Sequence, residues 1–240
     1  MEYFLDTANI KDIKKINDIF PIIGITTNPS IISKENRNFK EIIQEIQEIL
    51  GKDKLIHIQV IGKTFEIMIE EVKLLVKTFG ENIYAKIPVT EQGIKAMKEL
   101  SKEGYKITAT GILSPQQIIM AAEAGAEYMA PYINRSDNIG ESGIEIVKDA
   151  QKILDNTRIS DEECFRRYKR VFEPKIFGAS FKNVRQVHEV MLAGAKSVTI
   201  GTEVFERLIY HPYTDWSIEK FESDWEKIYG DKNLLELIKK

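Results

Sequence analysis

Short runs rich in β-branched and aromatic residues alternate with longer amphipathic stretches along this chain, and the alternation recurs eight times. The strand-like runs are EYFLDTA (2–8), IIGITTN (22–28), LIHIQVI (55–61), IYAKIPV (83–89), KITATGI (106–112), YMAPYIN (128–134), KIFGASF (175–181) and SVTIGTE (197–203). Between them, residues 9–20, 39–50, 64–80, 91–104, 114–125, 140–154 and 183–194 place apolar side chains at helical spacing, as a helix with one buried face requires. The punctuation agrees. Ser114 before Pro115 reads as an N-cap with a first-turn proline, and Gly51, Gly80, Gly104, Gly125 and Gly194 fall where helices should end.

Strand-helix alternation produces parallel strands joined by helical crossovers, and eight units of about 30 residues account for a chain of 240 residues. The pattern predicts an α/β protein, a single (β/α)8 TIM barrel over residues 1–240 with a C-terminal helical tail at 214–240. A doubly wound open sheet is the competing architecture, but eight full units and no glycine-rich phosphate fingerprint after the first strand weigh against it. A hydrophobic content of 43% suffices for a large core. With 34 basic against 37 acidic residues the net charge is only -3, which argues for neither a nucleic-acid nor a membrane-surface partner. MEYFLDTANI has no basic segment leading into an apolar one, and no window approaches the roughly 18 apolar residues of a membrane span. A soluble, cytoplasmic protein is the expectation.

Two stretches interrupt the alternation. Residues 156–173 carry Arg166, Arg167, Lys169 and Arg170, yet acidic residues precede this cluster and no aromatic ladder accompanies it, so a solvated helix face is expected there. The tail carries Trp216, Phe221, Trp225 and Tyr229 near helical spacing, more aromatic surface than a terminal helix can hide on itself; it should pack on the barrel or on a neighbouring subunit. Cys164, the single cysteine, cannot form an internal disulfide. His57, His188 and His211 fall on a strand start, a helix and a pre-proline loop, and suggest neither a triad nor a metal site.

Barrels of this class build their chemistry at the C-terminal ends of the strands. In order, those ends supply Asp6; Thr26, Thr27 and Asn28; Gln59; Lys86; Thr108 and Thr110; Tyr132, Asn134 and Arg135; Ser180 and Lys182. Taken singly, several have ordinary explanations: a helix cap for Asp6, a turn for Thr26 to Asn28, a core tyrosine for Tyr132, a surface ion pair for Arg135. Converging on one mouth, they would surround a cavity suited to a polyhydroxylated, anionic substrate. Lys86 is the most demanding of them, because it interrupts the apolar run NIYAKIPVT (82–90). Burying an ammonium group is costly unless it is paired or gives up its proton. In low-dielectric surroundings the neutral amine is favoured, and it can attack a carbonyl to form a Schiff base. A snorkelling or ion-paired lysine is the alternative reading.

Five motifs in order, FLDTAN (4–9), GITTNPSII (24–32), AKIPVT (85–90), GAEYMAPYINR (125–135) and GASFKN (178–183), closely resemble the transaldolase family. Within it the chain is most similar to the small single-barrel branch of bacterial fructose-6-phosphate aldolase and the short transaldolases, over essentially residues 1–230. The resemblance implies a class I aldolase mechanism without metal or organic cofactor, acting on a sugar phosphate. Lys86 matches the Schiff-base lysine, and Asp6 the aspartate that assists proton transfer. Asn28 and Ser180 match residues that position the hydroxyls of a dihydroxyacetone unit, and Thr26 shares the motif of Asn28. Arg135 matches the phosphate-binding arginine, beside Asn134, while Lys182 stands where relatives often carry a second basic group. Gln59 and Thr110, with Asp6, would hold a catalytic water, and Tyr132 would help to move its proton.

Two positions discriminate within the resemblance. Glutamine at Gln59 and tyrosine at Tyr132 are the aldolase-type residues, where transaldolases resembling the longer enzymes carry glutamate and phenylalanine. That favours reversible cleavage of fructose 6-phosphate to dihydroxyacetone and glyceraldehyde 3-phosphate. The alternative is transfer of dihydroxyacetone from a ketose phosphate to an aldose phosphate, or from a related sulfonated ketose. Another lysine-dependent barrel aldolase and a non-catalytic sugar-phosphate-binding barrel are the remaining readings. Departures from the pattern lie at Gly111, in the lengthened 156–173 connection and in IGTEVFERL (200–208). The family branch further implies a homo-oligomer, a pentamer or a decamer, in which the C-terminal helix reaches a neighbour.

Overall fold

The computed structural model describes residues 1–239. Among these, eight parallel strands close into a barrel in chain order. They are β1 (Glu2–Asp6), β2 (Gly24–Thr26), β3 (Leu55–Gln59), β4 (Ile83–Pro88), β5 (Ile107–Ile112), β6 (Tyr128–Pro131), β7 (Lys175–Gly178) and β8 (Ser197–Ile200). The crossovers hold α1 (Ile10–Ile19), α2 (Pro29–Lys34), α3 (Phe39–Leu50), α4 (Phe65–Phe79), α5 (Glu91–Lys102), α6 (Pro115–Glu123), α7 (Ile133–Asn138), α8 (Gly143–Asn156), α9 (Asp161–Tyr168) and α10 (Val184–Leu192), and α11 (Thr202–Glu206) follows β8. The chain separates into two compact units, Met1–Phe205 and the residues from Glu206 on, the second holding α12 (Pro212–Tyr229) and α13 (Leu234–Ile238). Lys240, the last residue of the expected tail, lies outside the described residues.

The helices form for the reasons their sequences give. In α3 the spacing of Ile42, Ile43, Ile46 and Leu50 aligns them on one buried face, each worth about 2 kcal/mol in burial. Asn38 accepts from the N–H groups of Lys40 and Glu41 at its start. Ser114 caps α6 as expected, its Oγ accepting from Gln117 N at 3.3 Å. Behind the C-terminus of α6, Gly125 turns the chain at φ +93°, and a Cβ there would lie 2.4 Å from that of Ser101, so neither backbone nor space admits a side chain.

The sixth and seventh strands are shorter than their apolar runs. Pairing in β6 stops at Pro131 and in β7 at Gly178, so Asn134 and Arg135 sit on α7 rather than on a strand, and Ser180 and Lys182 on the loop after β7. The change follows from the backbone bonds: Ile133 N and Asn134 N, the first donors of α7, find the carbonyls of Ala179 and Ser180. Gly111, at φ +72°, lies in the register shift between Ala109 and Ile112 in β5, a bulge that only glycine enters cheaply.

At the N-terminal end of the strands the interior is closed by ion pairs. Lys175 Nζ lies 2.7 Å from Glu2, which also accepts from Tyr128 OH at 2.9 Å. Arg170, from the segment after α9, lies 2.5 Å from Glu127, which accepts from Tyr84 OH at 2.8 Å. Two more members of the basic cluster are neutralised locally: Arg166 and Arg167 both bind Glu163, at 2.7 and 2.5 Å, and hold that carboxyl down at about 2. This is the solvated face expected for most of the cluster, with Arg170 as the exception.

Candidate active site

Side chains alternate along a strand, so residues two apart face the same way. The buried aromatic cluster of Phe4, Tyr84, Tyr128 and Phe177 therefore marks the interior side of β1, β4, β6 and β7. One step further along, the same faces carry Asp6, Lys86, Ala130 and Ala179, and β3 and β5 add Gln59 and Thr110. The mouth is thus built on top of an aromatic floor.

Lys86 is 6% exposed. Its Nζ donates to the carbonyl oxygen of Thr27 at 2.7 Å, and among the described residues no carboxylate lies within ion-pair distance of it. Burial pulls its pKa below the ordinary lysine value, against the opposing attraction of the Asp6 charge. Asp6 is held in turn. Thr26 Oγ1 donates to Asp6 Oδ1 at 2.6 Å, and since a hydroxyl has one proton, the 2.5 Å contact of Thr26 Oγ1 with Thr199 Oγ1 must be donated by Thr199. A chain of two hydroxyls from β8 and β2 thereby fixes the carboxylate on β1 beside the lysine on β4.

Gln59 lies in strand register with Lys86, half-buried, and Thr110 is buried on the opposite neighbour. Thr110 Oγ1 and Tyr132 OH are 3.1 Å apart. The guanidinium of Arg135 lies 4.3 Å from the Tyr132 ring centroid, so the ring orients the cation while its exposed N–H groups stay available to an anion. Lys182 is exposed across the loop, and Ser180 takes the left-handed region at φ 64°. One glutamine ties this rim together: Gln186 Oε1 accepts from Lys182 N at 2.8 Å, while its Nε2 donates to Asn134 Oδ1 at 3.4 Å and Asp137 Oδ2 at 2.7 Å. Asn28 caps α2, its Oδ1 accepting from Ile31 N at 3.0 Å, and among the described residues its amide N–H groups have no acceptor, which leaves them available to a ligand.

The structure brings Asp6, Thr26, Gln59, Lys86 and Thr110 to one strand-end rim, with Tyr132, Asn134 and Arg135 on α7 and its cap, and Ser180 and Lys182 on the adjoining loop. Two contributors lie outside the motifs, Thr199 and Gln186, and Thr27 lies within one but contributes its backbone carbonyl rather than its side chain. Thr199 carries a signal, a polar residue inside the apolar β8 run; Gln186 carries none beyond its place near the GASFKN motif. A cavity of about 630 Å³ lies on the helix side of β3, touching Asn28 and Gln59 but not Lys86. No group of three or more His, Cys, Asp or Glu among the described residues is placed to hold a metal ion.

Fold and site together define a (β/α)8-barrel enzyme with a buried lysine at the carboxyl mouth. The chain belongs to the transaldolase/fructose-6-phosphate aldolase family, whose profile matches residues 3–232. Relatives include a probable fructose-6-phosphate aldolase of Streptococcus pneumoniae, 37% identical over 98% of this chain and 100% of that one. A probable transaldolase of Agathobacter rectalis is 39% identical over 96% of this chain and 100% of its own. Another, of Caldicellulosiruptor saccharolyticus, is 42% identical over 95% and 98% respectively. Solved structures of similar fold include a mutant flavocytochrome b2 with pyruvate bound, with a TM-score of 0.58 and 14% identity over 85% of this chain and 58% of that one. A native KDPGal structure has a TM-score of 0.55 and 13% identity over 88% and 84%. At those identities the likeness shows the fold alone.

Proposed function

We propose that this protein is a class I aldolase that cleaves fructose 6-phosphate reversibly to dihydroxyacetone and glyceraldehyde 3-phosphate through a Schiff base on Lys86. The observation that carries the reading is Lys86 itself: nearly fully buried, tethered to a carbonyl, and without an ion-pairing carboxylate among the described residues. An amine held in this way is depleted of its proton and able to attack the ketone carbon. Loss of water from the carbinolamine gives an iminium, which accepts the electron pair when the C3–C4 bond breaks. A proton leaves the C4 hydroxyl as the aldehyde forms, and the enamine later takes a proton at C3. Water then releases dihydroxyacetone and the free amine.

The remaining side chains suit these steps. Asp6, fixed by Thr26, stands where a proton acceptor and donor is needed, with Gln59, Thr110 and Tyr132 supplying the polar groups to hold and relay a water. Asn28, Asn134 and Ser180 would bind substrate hydroxyls, and Arg135 with Lys182 the phosphate. The mechanism needs no metal or organic cofactor, since the iminium is the electron sink. We carry the cytoplasmic location and the pentameric or decameric assembly in the same proposal; the exposed Tyr213, Trp216 and Phe221 of α12 support a helix that packs on a neighbour.

Transfer of dihydroxyacetone to an aldose phosphate is the second reading, favoured by relatives named as probable transaldolases. Incubation with fructose 6-phosphate, with and without erythrose 4-phosphate, separates the two. Free dihydroxyacetone without acceptor supports the aldolase; a seven-carbon ketose phosphate formed only with acceptor supports transfer, and Gln59→Glu should move the balance that way. No glyceraldehyde 3-phosphate under either condition would overturn the fructose 6-phosphate assignment and direct attention to a ketose carrying another anion, such as a sulfonate.

A further inference from the structure

The mechanism above leaves one buried titratable group unused. His57 is 0% exposed in the middle of β3, on the same interior face as Gln59 and two residues nearer the closed end. Its ring stacks on Tyr84 at 4.8 Å and 10°, and meets Phe4, Tyr128 and Phe177 at 4.9, 5.1 and 5.2 Å. Nδ1 lies 2.8 Å from Thr108 Oγ1, and Thr108 is the strand-register partner of Lys86. Nε2 is buried with no hydrogen-bond partner among the described residues. A phenyl ring would fill this aromatic cage without an orphaned nitrogen, so packing alone does not account for an imidazole here.

We propose that His57 and Thr108 are positioning residues for Lys86: the imidazole, hydrogen-bonded to the hydroxyl on the strand beside the lysine, forms a polar, uncharged floor that fixes the lysine stem and aims its amine at the substrate carbonyl. The inference rests on the Schiff-base reading of Lys86. The surroundings favour the uncharged ring. Burial first, and then Lys86 on β4, disfavour a positive charge on the ring, and Tyr84 beside Lys86 keeps its proton; Tyr128 on β6 does the same, while Thr108 on β5 and Phe177 on β7 are uncharged. On β1, Asp6 stands at the mouth and Glu2 at the closed end, where Glu2 and, after α6, Glu127 accept from the tyrosine hydroxyls. An apolar floor would leave the lysine stem free to settle in several rotamers, and misplacing an attacking amine lowers kcat more than it weakens binding.

Thr108→Val, Thr108→Ser, His57→Phe and the His57→Phe/Thr108→Val double variant test this through steady-state turnover of fructose 6-phosphate and through the rate of borohydride trapping at Lys86. Thr108→Val and His57→Phe should each lower kcat about tenfold with KM changed less than about twofold. Thr108→Ser should restore most of the loss, and the double variant should be no slower than the slower single one, because both remove the same hydrogen bond. Turnover and trapping equal to wild type in the single variants, losses that multiply in the double variant, or an effect confined to KM would overturn the proposal. If His57→Phe does not fold, Thr108→Val against Thr108→Ser decides alone. Wild type that forms no adduct would instead defeat the Schiff-base reading.

Discussion

At the closed end of the barrel Lys175 meets Glu2 at 2.7 Å and Arg170 meets Glu127 at 2.5 Å, and the hydroxyls of Tyr128 and Tyr84 complete those carboxylates. At the mouth, Lys86 meets a backbone carbonyl at 2.7 Å, with Asp6 near enough to attract it but bound to Thr26 instead. The same strand serves both ends, since Tyr84 and Lys86 lie two residues apart on β4. Pairing makes a buried charge inert, and its loss is costly because it strands the partner; withholding a partner makes a buried amine reactive. One end of the interior is arranged for stability, the other for chemistry.

The largest effect should come from Lys86→Met. Turnover should drop at least about 10⁴-fold, while folding stability holds or rises, because an apolar side chain replaces a desolvated amine. The gain has a pH signature. With its folded pKa below the ordinary lysine value of about 10.5, Lys86 binds its proton more weakly in the folded chain, so it penalises the fold at neutral pH and the penalty fades as pH rises toward that value. Urea unfolding of both proteins at pH 7 and pH 10 measures it; a variant less stable than wild type at pH 7 would break the contrast.

Glu127→Gln should do the reverse. It leaves Arg170 without its carboxylate and weakens the bond from Tyr84 OH, so stability should fall by about 3 kcal/mol with kcat within about twofold of wild type. Asp6→Asn should lower kcat about 10²-fold and leave stability within about 1 kcal/mol, as expected for a group that moves a proton rather than one that neutralises a cation. Activity lost with Glu127→Gln, or stability lost with Asp6→Asn, would mean that the two ends are not divided in this way.

The smallest effect lies between the ends, at His57. Burial first, and then Lys86, hold its pKa well below 6.5, so the unfolded chain takes up a proton there that the folded chain refuses. Stability therefore falls as pH drops below about 6.5, by up to about 1.4 kcal/mol per pH unit from this group. Unfolding at pH 7.0 and pH 5.5 should show that slope reduced in His57→Phe; an unchanged slope would assign the acid sensitivity elsewhere.

The mouth was more legible in the sequence than the closed end, and for a physical reason. Lys86 interrupts an apolar strand, and an expensive residue is visible without knowing its neighbours. The strand count likewise follows from local periodicity, which is why Phe39–Leu50 matches its observed helix at both ends. The ion pairs of the closed end join Glu2 to Lys175 and Glu127 to Arg170, separations of 173 and 43 residues that no local pattern reports. Arg170 read as part of a solvated cluster because its partner is distant in sequence. Asn134 read as a strand residue, with Arg135 just beyond it, because β-type composition continues past Pro131, whereas the backbone donors of Ile133 and Asn134 are taken by the carbonyls of Ala179 and Ser180. His57 gave no sign of its cage, which five strands build.

The central claim, that the unpaired lysine at the mouth is the reacting group, is tested most directly by trapping. Protein incubated with fructose 6-phosphate and reduced with borohydride should carry a dihydroxyacetone-derived adduct on the peptide containing Lys86, and Lys86→Met should carry none. No adduct on wild type, or one on another lysine such as Lys182, would contradict the account.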